Sequence, residues 1–193
     1  EIQKDAAEEN IAESKIRYNN ALLIREIGQE ASKRLAIDAL MRNVANVLEK
    51  RLDFDRGMIM LANKEKTQLY YTAGYGHTAE QEKFLGQLTF NLNNPESRGL
   101  FIRAMMETKP LLINDIEEIK DTLSPRSLEF AKRMGGKSLI CVPIIYEREA
   151  LGILAVDNIK SKTPLKKSDM NLLMGVASQL AISIVNANSF KKI

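Results

Sequence analysis

Along residues 1 to 35, apolar side chains recur at helical spacing but thicken only toward the end, at Ile16, Leu23, Ile24, Ile27, Ala31 and Leu35. That periodicity, with no proline to interrupt it, predicts one long helix. Charge pairs in the favourable order, Glu13 before Arg17 and Glu30 before Arg34, support it at i,i+4 spacing. The first half carries only Ile2, Ile11 and scattered alanines, so its turns gain little from packing on their own domain. They are expected to continue an upstream helix or to pair with a copy of themselves. A second helix is predicted from Asp38, as its N-cap, to Leu52, because Ile37, Leu40, Met41, Val44, Val47 and Leu48 make one apolar face.

Strand signals follow. "MIML" after Gly57 is a short buried run, and "TQLYYTAGYG" is a second strand ending in a glycine-rich turn, with "ANKEK" as the hairpin loop between them. Residues 77 to 137 are less regular. "LTFNL" and "LLIND" read as brief strands, and "NNPESRGLFIRAMMETKP" as a helix capped by Asn94 with Pro95 in its first position. "SPRSLEFAKRMGG" repeats the cap-then-proline start and stops at Gly135-Gly136. Then "VPIIYEREALGILAVDN" sets two apolar runs on a charged knuckle, a tight antiparallel hairpin. Pro143 removes a ladder donor there, so a bulge or an unpaired edge is expected beside it.

A final helix is predicted from Ser168 to Phe190. Between Met170 and Phe190 no residue is charged; Leu173, Val176, Leu180, Ile184 and Ala187 form the core stripe, and Asn171, Ser178, Ser183, Asn186 and Asn188 the other face. A surface helix would carry Lys and Glu on that face. The four amides Asn171, Gln179, Asn186 and Asn188 argue against a membrane span. A second packed face is the better reading, covered by the N-terminal helix of the same or a partner chain.

Helices at both ends around antiparallel hairpins predict an α+β sandwich: one sheet, terminal helices on one face, a lid layer on the other. No helix connects the strands in the doubly wound manner, so a dinucleotide-binding sheet is disfavoured. The net charge of +3 is spread among both signs, and the one basic run, Lys160, Lys162, Lys166 and Lys167, has no interleaved aromatics; it reads as a solvated loop, and nucleic acid is not an expected partner. The single cysteine, Cys141, excludes an intramolecular disulfide and points to a reducing compartment, the cytoplasm. The chain opens on Glu1 rather than methionine, which reads as a fragment of something longer.

Candidate chemistry is sparse. One histidine, His77, and one cysteine do not supply a zinc site. Cys141, between Ile140 and Val142, reads as a buried, inert thiol. Asp53, Asp55, Asp115, Glu117 and Glu118 lie in loops and turns, where carboxylates are solvated. No serine sits in a nucleophile elbow, and "GYGH" lacks the Lys-Ser/Thr of a phosphate loop. "NNPESRG" offers a helix N-terminus as an anion seat with Arg98 beside it, although Glu96 in the same turn answers the dipole itself.

The succession "FDRGMIML", "TQLYYTAGYG", "KPLLINDI", "SLICVPIIYEREALGILAVDN" and "SDMNLLMGVASQLAISIVNA" resembles the GAF domain family over about residues 20 to 190. The resemblance implies a six-stranded antiparallel sheet, a small-molecule pocket on the lid side, and dimerisation through the terminal helices. Tyr71, Phe90, Ser97, Asn114 and Asp115 lie in segments that wall the family's pocket and, with Arg98, are the candidate ligand-binding residues. Ile16, Leu23, Ile27, Val176, Leu180 and Ile184 are the candidate dimer contacts. Some members that bind cyclic nucleotides carry an Asn-Lys…Phe…Asp-Glu signature; here the matching stretch is Asn158, Lys160, Leu165, Asp169 and Met170, with leucine for the aromatic and methionine for the last acid. His77 is the only histidine that could ligate a haem, and no cysteine precedes a histidine as in bilin-attaching members, so haem and bilin are not expected. The cofactor is left unknown, a cyclic nucleotide or another small molecule.

The organisation read from this is a signalling helix over 1–20, a GAF domain over 21–190 and the start of a linker over 191–193. The expected role is a non-catalytic regulatory sensor in a multidomain, bacterial signalling protein, cytoplasmic in a parent that is membrane-anchored or not. Its partners are a second copy of the chain and a covalently linked output domain. A purely structural dimerisation module with a self-filled pocket is the alternative, favoured by Phe101, Ile102, Met105, Met106 and Phe130; a small enzyme on the same sandwich is the third, opposed by the shortage of cysteines.

Overall fold

Helix α1 (Ile2–Ala31) divides as its sequence predicts. Residues 1–19 are exposed throughout, whereas Leu23 and Ile27 are fully buried where α1 meets α2 (Ile37–Arg51) and α6 (Lys167–Phe190). Glu26 takes a fork of hydrogen bonds from Arg51, and Glu30 accepts from Asn43 Nδ2 at 3.1 Å, so the second half of α1 is tied to α2. The structure, a computed structural model, describes residues 1–31, 36–94, 99–161 and 163–190. The N-cap of α2 is Ala36, with no side-chain bond; Asp38 lies inside the first turn instead, where its charge still complements the helix dipole.

Six strands form one antiparallel sheet: β1 (Arg56–Ala62), β2 (Gln68–Tyr75), β3 (Thr89–Asn91), β4 (Leu111–Ile113), β5 (Leu139–Tyr146) and β6 (Glu149–Asp157), in the order β3-β2-β1-β6-β5-β4. Period-two alternation sorts their side chains. Ile59, Leu61, Ala73, Tyr75, Ile140, Val142, Ile144, Leu154 and Val156 join the core under the helices. Met58, Met60, Leu69, Cys141, Ile153 and Ala155 belong to a second core under the lid. An antiparallel sheet with one wet face would alternate apolar with polar; here both faces are covered, which is why the hairpin reads apolar throughout.

The β5–β6 hairpin turns on Glu147 and Arg148, both at positive φ (48° and 69°), the arrangement whose twist matches the flanking strands. β4 pairs with β5 only as far as Cys141. Pro143 faces Ile153 of β6 and has no neighbour on its other side, so the missing donor falls on an open edge; a register shift follows between Ile144 and Ile145.

The lid consists of α3 (Ala79–Gly86), α4 (Leu100–Glu107), a 3₁₀ helix (Ile116–Thr122) and α5 (Pro125–Met134). Helix α6 meets the length and apolarity of a membrane span, but the side chains responsible, Leu173, Val176, Leu180, Ile184 and Ala187, are buried against the sheet and α1. It is the core helix of the fold.

Candidate ligand-binding site

The alternation that builds the lid-side core also places two charges in it. Arg56 opens β1, Asp157 closes β6, and the register sets them opposite each other. Arg56 Nε donates to Asp157 Oδ1 at 2.9 Å, Nη2 donates to Oδ2, and Nη1 donates to the Met134 carbonyl at 2.7 Å. Met134 is the last residue of α5, which Gly135 ends in the left-handed conformation at φ 68°. The guanidinium thus neutralises a carboxylate and sits at a helix C-terminus, where a cation is favoured. Arg56 is 2% exposed and the Asp157 side chain 13%. Gly136 completes the cluster: a Cβ there would stand 2.8 Å from Asp157 Oδ2.

His77 borders the same cluster. Gly76 turns the chain off β2 at φ 79°, so close to the Asp55 carbonyl that a Cβ would lie 2.1 Å from it. The His77 side chain is only 3% exposed, and its Nδ1 is buried with no hydrogen-bond partner. Glu82 Oε1, at 3.7 Å, is beyond bonding distance. Burial, then the neighbouring Arg56 charge, push its pKa down to about 4, so the imidazole is neutral at pH 7.

These residues form one end of a cavity of about 80 Å³ between sheet and lid. Its aromatic wall is Phe90, Phe101 and Phe130, each ring edge-on to the other two at 5.5–5.8 Å between centroids. Met58, Leu100, Ile102, Ile116, Leu123, Met134, Leu139 and Val156 supply most of the remaining apolar lining, with the small Ala131 on α5 and Ala155 on β6, and Ser127 and Ser138 as its hydroxyls.

Of the residues singled out from sequence, Phe90 lies in the cavity wall. Tyr71 stands beside it, edge-on to His77 and donating its hydroxyl to Glu82 Oε1 at 3.0 Å; burial raises its pKa. Asn114 and Asp115 are exposed on the turn after β4. The Asp115 carboxylate accepts the Glu117 N–H at 3.0 Å and caps the 3₁₀ helix, and its neighbour Ile116 reaches the cavity instead. Ser97 and Arg98, with Pro95 and Glu96, lie outside the described residues. Helix α4 begins at Leu100 with Gly99 in the N-cap position, so Asn94 does not cap it; the expected anion seat falls on residues 95–98, outside the described residues.

Sequence reasoning passed over Arg56 and Asp157 and weighed His77 only as a zinc or haem ligand. The signal was present: Arg56 and Asp157 continue the lid-facing positions Met58, Met60 and Ile153, Ala155 in steps of two. A charge on a strand position that otherwise faces a core calls for a partner.

One residue outward from the charged pair, on both strands, lies a second cluster. Asp55 N–H donates to Asn158 Oδ1 at 3.0 Å, and Asp55 Oδ2 accepts the N–H groups of Ile159, Lys160 and Ser161 at 2.5–2.9 Å. Those bonds, chiefly that from Ser161, lower the Asp55 pKa. Leu165 is buried, and Asp169 Oδ2 accepts the Lys166 N–H at 2.8 Å where α6 begins. The residues that match the family's Asn-Lys signature therefore brace the connection from β6 to α6.

The expected dimer contacts divide. Leu23, Ile27, Val176, Leu180 and Ile184 are buried in the chain's own core, because the second half of α1 folds onto α6 within one chain. Ile16 is 59% exposed. The free face of α6 is instead Asn171, Gly175, Ser178, Ile182 and Asn186.

The profile of the GAF domain family matches residues 36–184. Among solved structures, a methyl-accepting chemotaxis protein, residues 122 to 287, is 24% identical, with 86% of this chain and 99% of that one covered at a TM-score of 0.73. A phycoerythrobilin-bound GAF domain from a cyanobacterial phytochrome is 18% identical, with 89% and 97% covered at 0.68. The fRMsr of Staphylococcus aureus, in complex with substrate, is 18% identical, with 86% and 95% covered at 0.63. No curated protein matches the chain. At these identities the likeness is one of fold.

Proposed function

The chain belongs to the GAF domain family, typically a sensory or regulatory domain of signalling proteins, and we propose from that premise that it senses a small molecule in the lid-side cavity and relays occupancy through α6 and α1. The observation that carries this reading is adjacency. Arg56 and Asp157 line the cavity; Asp55 and Asn158, next to them in sequence, hold residues 159–161 on the way into α6. A ligand that shifts the charged pair shifts the root of α6, provided it binds the two arrangements with different affinity. The signal then leaves as a rotation or shift of packed helices toward a linked output domain. The domain itself is non-catalytic in this reading. Its only thiol, Cys141, is fully buried and its pKa raised, so it offers no thiolate for redox chemistry or covalent attachment of a pigment. We place it in the cytoplasm of a bacterial cell and treat it as a dimer through its terminal helices.

A second reading has its own observation. The three phenylalanines leave a cavity of only about 80 Å³, well under the roughly 300–1,000 Å³ of drug-sized sites, as a self-filled dimerisation module would. A native mass-spectrometry screen of nucleotides, amino acids and small neutral compounds, followed by hydrogen exchange at residues 159–161, separates the two. The sensor reading expects a bound compound to change protection there. A dimer unchanged by every compound sinks it and leaves the structural module.

A further inference from the structure

The charges of the cavity limit what it can hold. Among its described lining residues only Arg56 and Asp157 carry charge, and they are spent on each other and on the Met134 carbonyl. Among the described lining residues a phosphate or carboxylate entering this space meets no free counter-charge and faces the Asp157 carboxylate, and burying an unpaired ion is strongly unfavourable. What the wall offers without a partner is neutral: the imidazole of His77, 3% exposed, with Nδ1 unbonded. Apart from the hydroxyls of Ser127 and Ser138, the remainder is apolar and rich in phenylalanine edges, which receive a flat ring in edge-on geometry.

We infer that the cavity takes a small, neutral, mainly apolar molecule, a single aromatic ring bearing one hydroxyl, whose hydroxyl bonds to His77. This rests on the sensor reading and adds its ligand class. A hydroxyl both donates and accepts, so it satisfies Nδ1 in either tautomer of the imidazole. The lowered pKa of His77 keeps that imidazole neutral, and a neutral ring gives an anion no counter-charge. Size points the same way: about 80 Å³ is below the roughly 150 Å³ of an apolar cavity that binds benzene, so one ring enters with modest yielding of the phenylalanines, and a nucleotide does not.

The test is calorimetric titration of the full chain with phenol, toluene, benzoate and cyclic AMP as probes. Phenol is expected to bind saturably, about tenfold tighter than toluene, the worth of one buried hydrogen bond, with benzoate and cyclic AMP weaker than both. His77→Phe should erase the preference of phenol over toluene while leaving toluene bound, a loss that mere misfolding would not produce. Ala131→Leu, filling the cavity from α5, should abolish both and keep the fold. Benzoate or cyclic AMP binding ahead of phenol, a phenol preference that survives His77→Phe, or no saturable binding of either neutral ring overturns the inference. The sensor reading stands or falls separately: if a charged probe binds and alters exchange at residues 159–161, that reading survives while this one fails.

Discussion

Removing the Arg56 guanidinium leaves a carboxylate that is 13% exposed and a helix-terminal carbonyl without their donors, so Arg56→Met should destabilise the fold by about 3–5 kcal/mol. The double variant Arg56→Met, Asp157→Leu should recover much of that loss, because removing both charges abolishes the desolvation that one alone must bear. Urea unfolding of the two variants checks the pair, and equal losses would show that the guanidinium acts through its packing alone. His77 makes the stability depend on pH with a definite sign. Its pKa is about 4 in the folded chain against 6.5 for the free side chain. Between those values the unfolded chain binds the extra proton, so stability falls as pH falls; above 6.5 both states are neutral and the effect vanishes. From pH 7 to pH 5 the loss from this group is about 2 kcal/mol, and His77→Gln should remove that share of the slope. Identical slopes in the two proteins would mean that His77 is protonated or solvated in the fold.

At the scale of elements, the connection from β6 into α6 depends on one carboxylate. Asp55→Ala orphans the N–H groups of Ile159, Lys160 and Ser161 and should cost roughly 1–3 kcal/mol, with faster hydrogen exchange at those three amides before any change in the sheet. Uniform exchange across the chain would refute a local brace. Most elements were legible because their patterns are long and redundant: α2 shows six apolar positions on one face, and α5 opens on Ser124-Pro125 and closes on Gly135. Helix α3 was not, because it buries a single side chain, Leu85; what specifies it is a capping box between Thr78 and Gln81, two polar residues in a stretch that otherwise reads as loop. The site was harder for a physical reason. Its chemistry is built by partners far apart in sequence, Arg56 with Asp157 and Met134, and only the strand register brings them together. Phe90, named because the family resemblance puts its segment at the pocket wall, lies in the cavity lining, whereas Asn114 and Asp115 stand two residues and one residue before the position that reaches it, Ile116.

For the whole molecule, the arrangement of the terminal helices decides how a dimer would form. The core stripe of α6 and the end of α1 are consumed within one chain, so they cannot also serve a partner. What remains is a face of α6 with Gly175, Ser178 and Ile182, the last 46% exposed, and the first two-thirds of α1 with Ile2, Ile11, Ile16 and Tyr18 open to water. Small residues let a second helix approach closely, and a face without charge spares a partner the cost of burying an ion. We therefore expect Ser178→Lys with Ile182→Glu to weaken dimerisation by at least tenfold in sedimentation equilibrium, with little change in Tm, since both positions are exposed. Truncation of residues 1–20 should likewise weaken the dimer while sparing the domain, because none of residues 1–19 contributes to the core. A dissociation constant unmoved by both changes would place the contact elsewhere and detach the dimer from the helices of the proposed relay. If the charged pair on α6 weakens the dimer and the truncation does not, α6 alone carries the interface, and the signal from residues 159–161 reaches the partner without passing through α1.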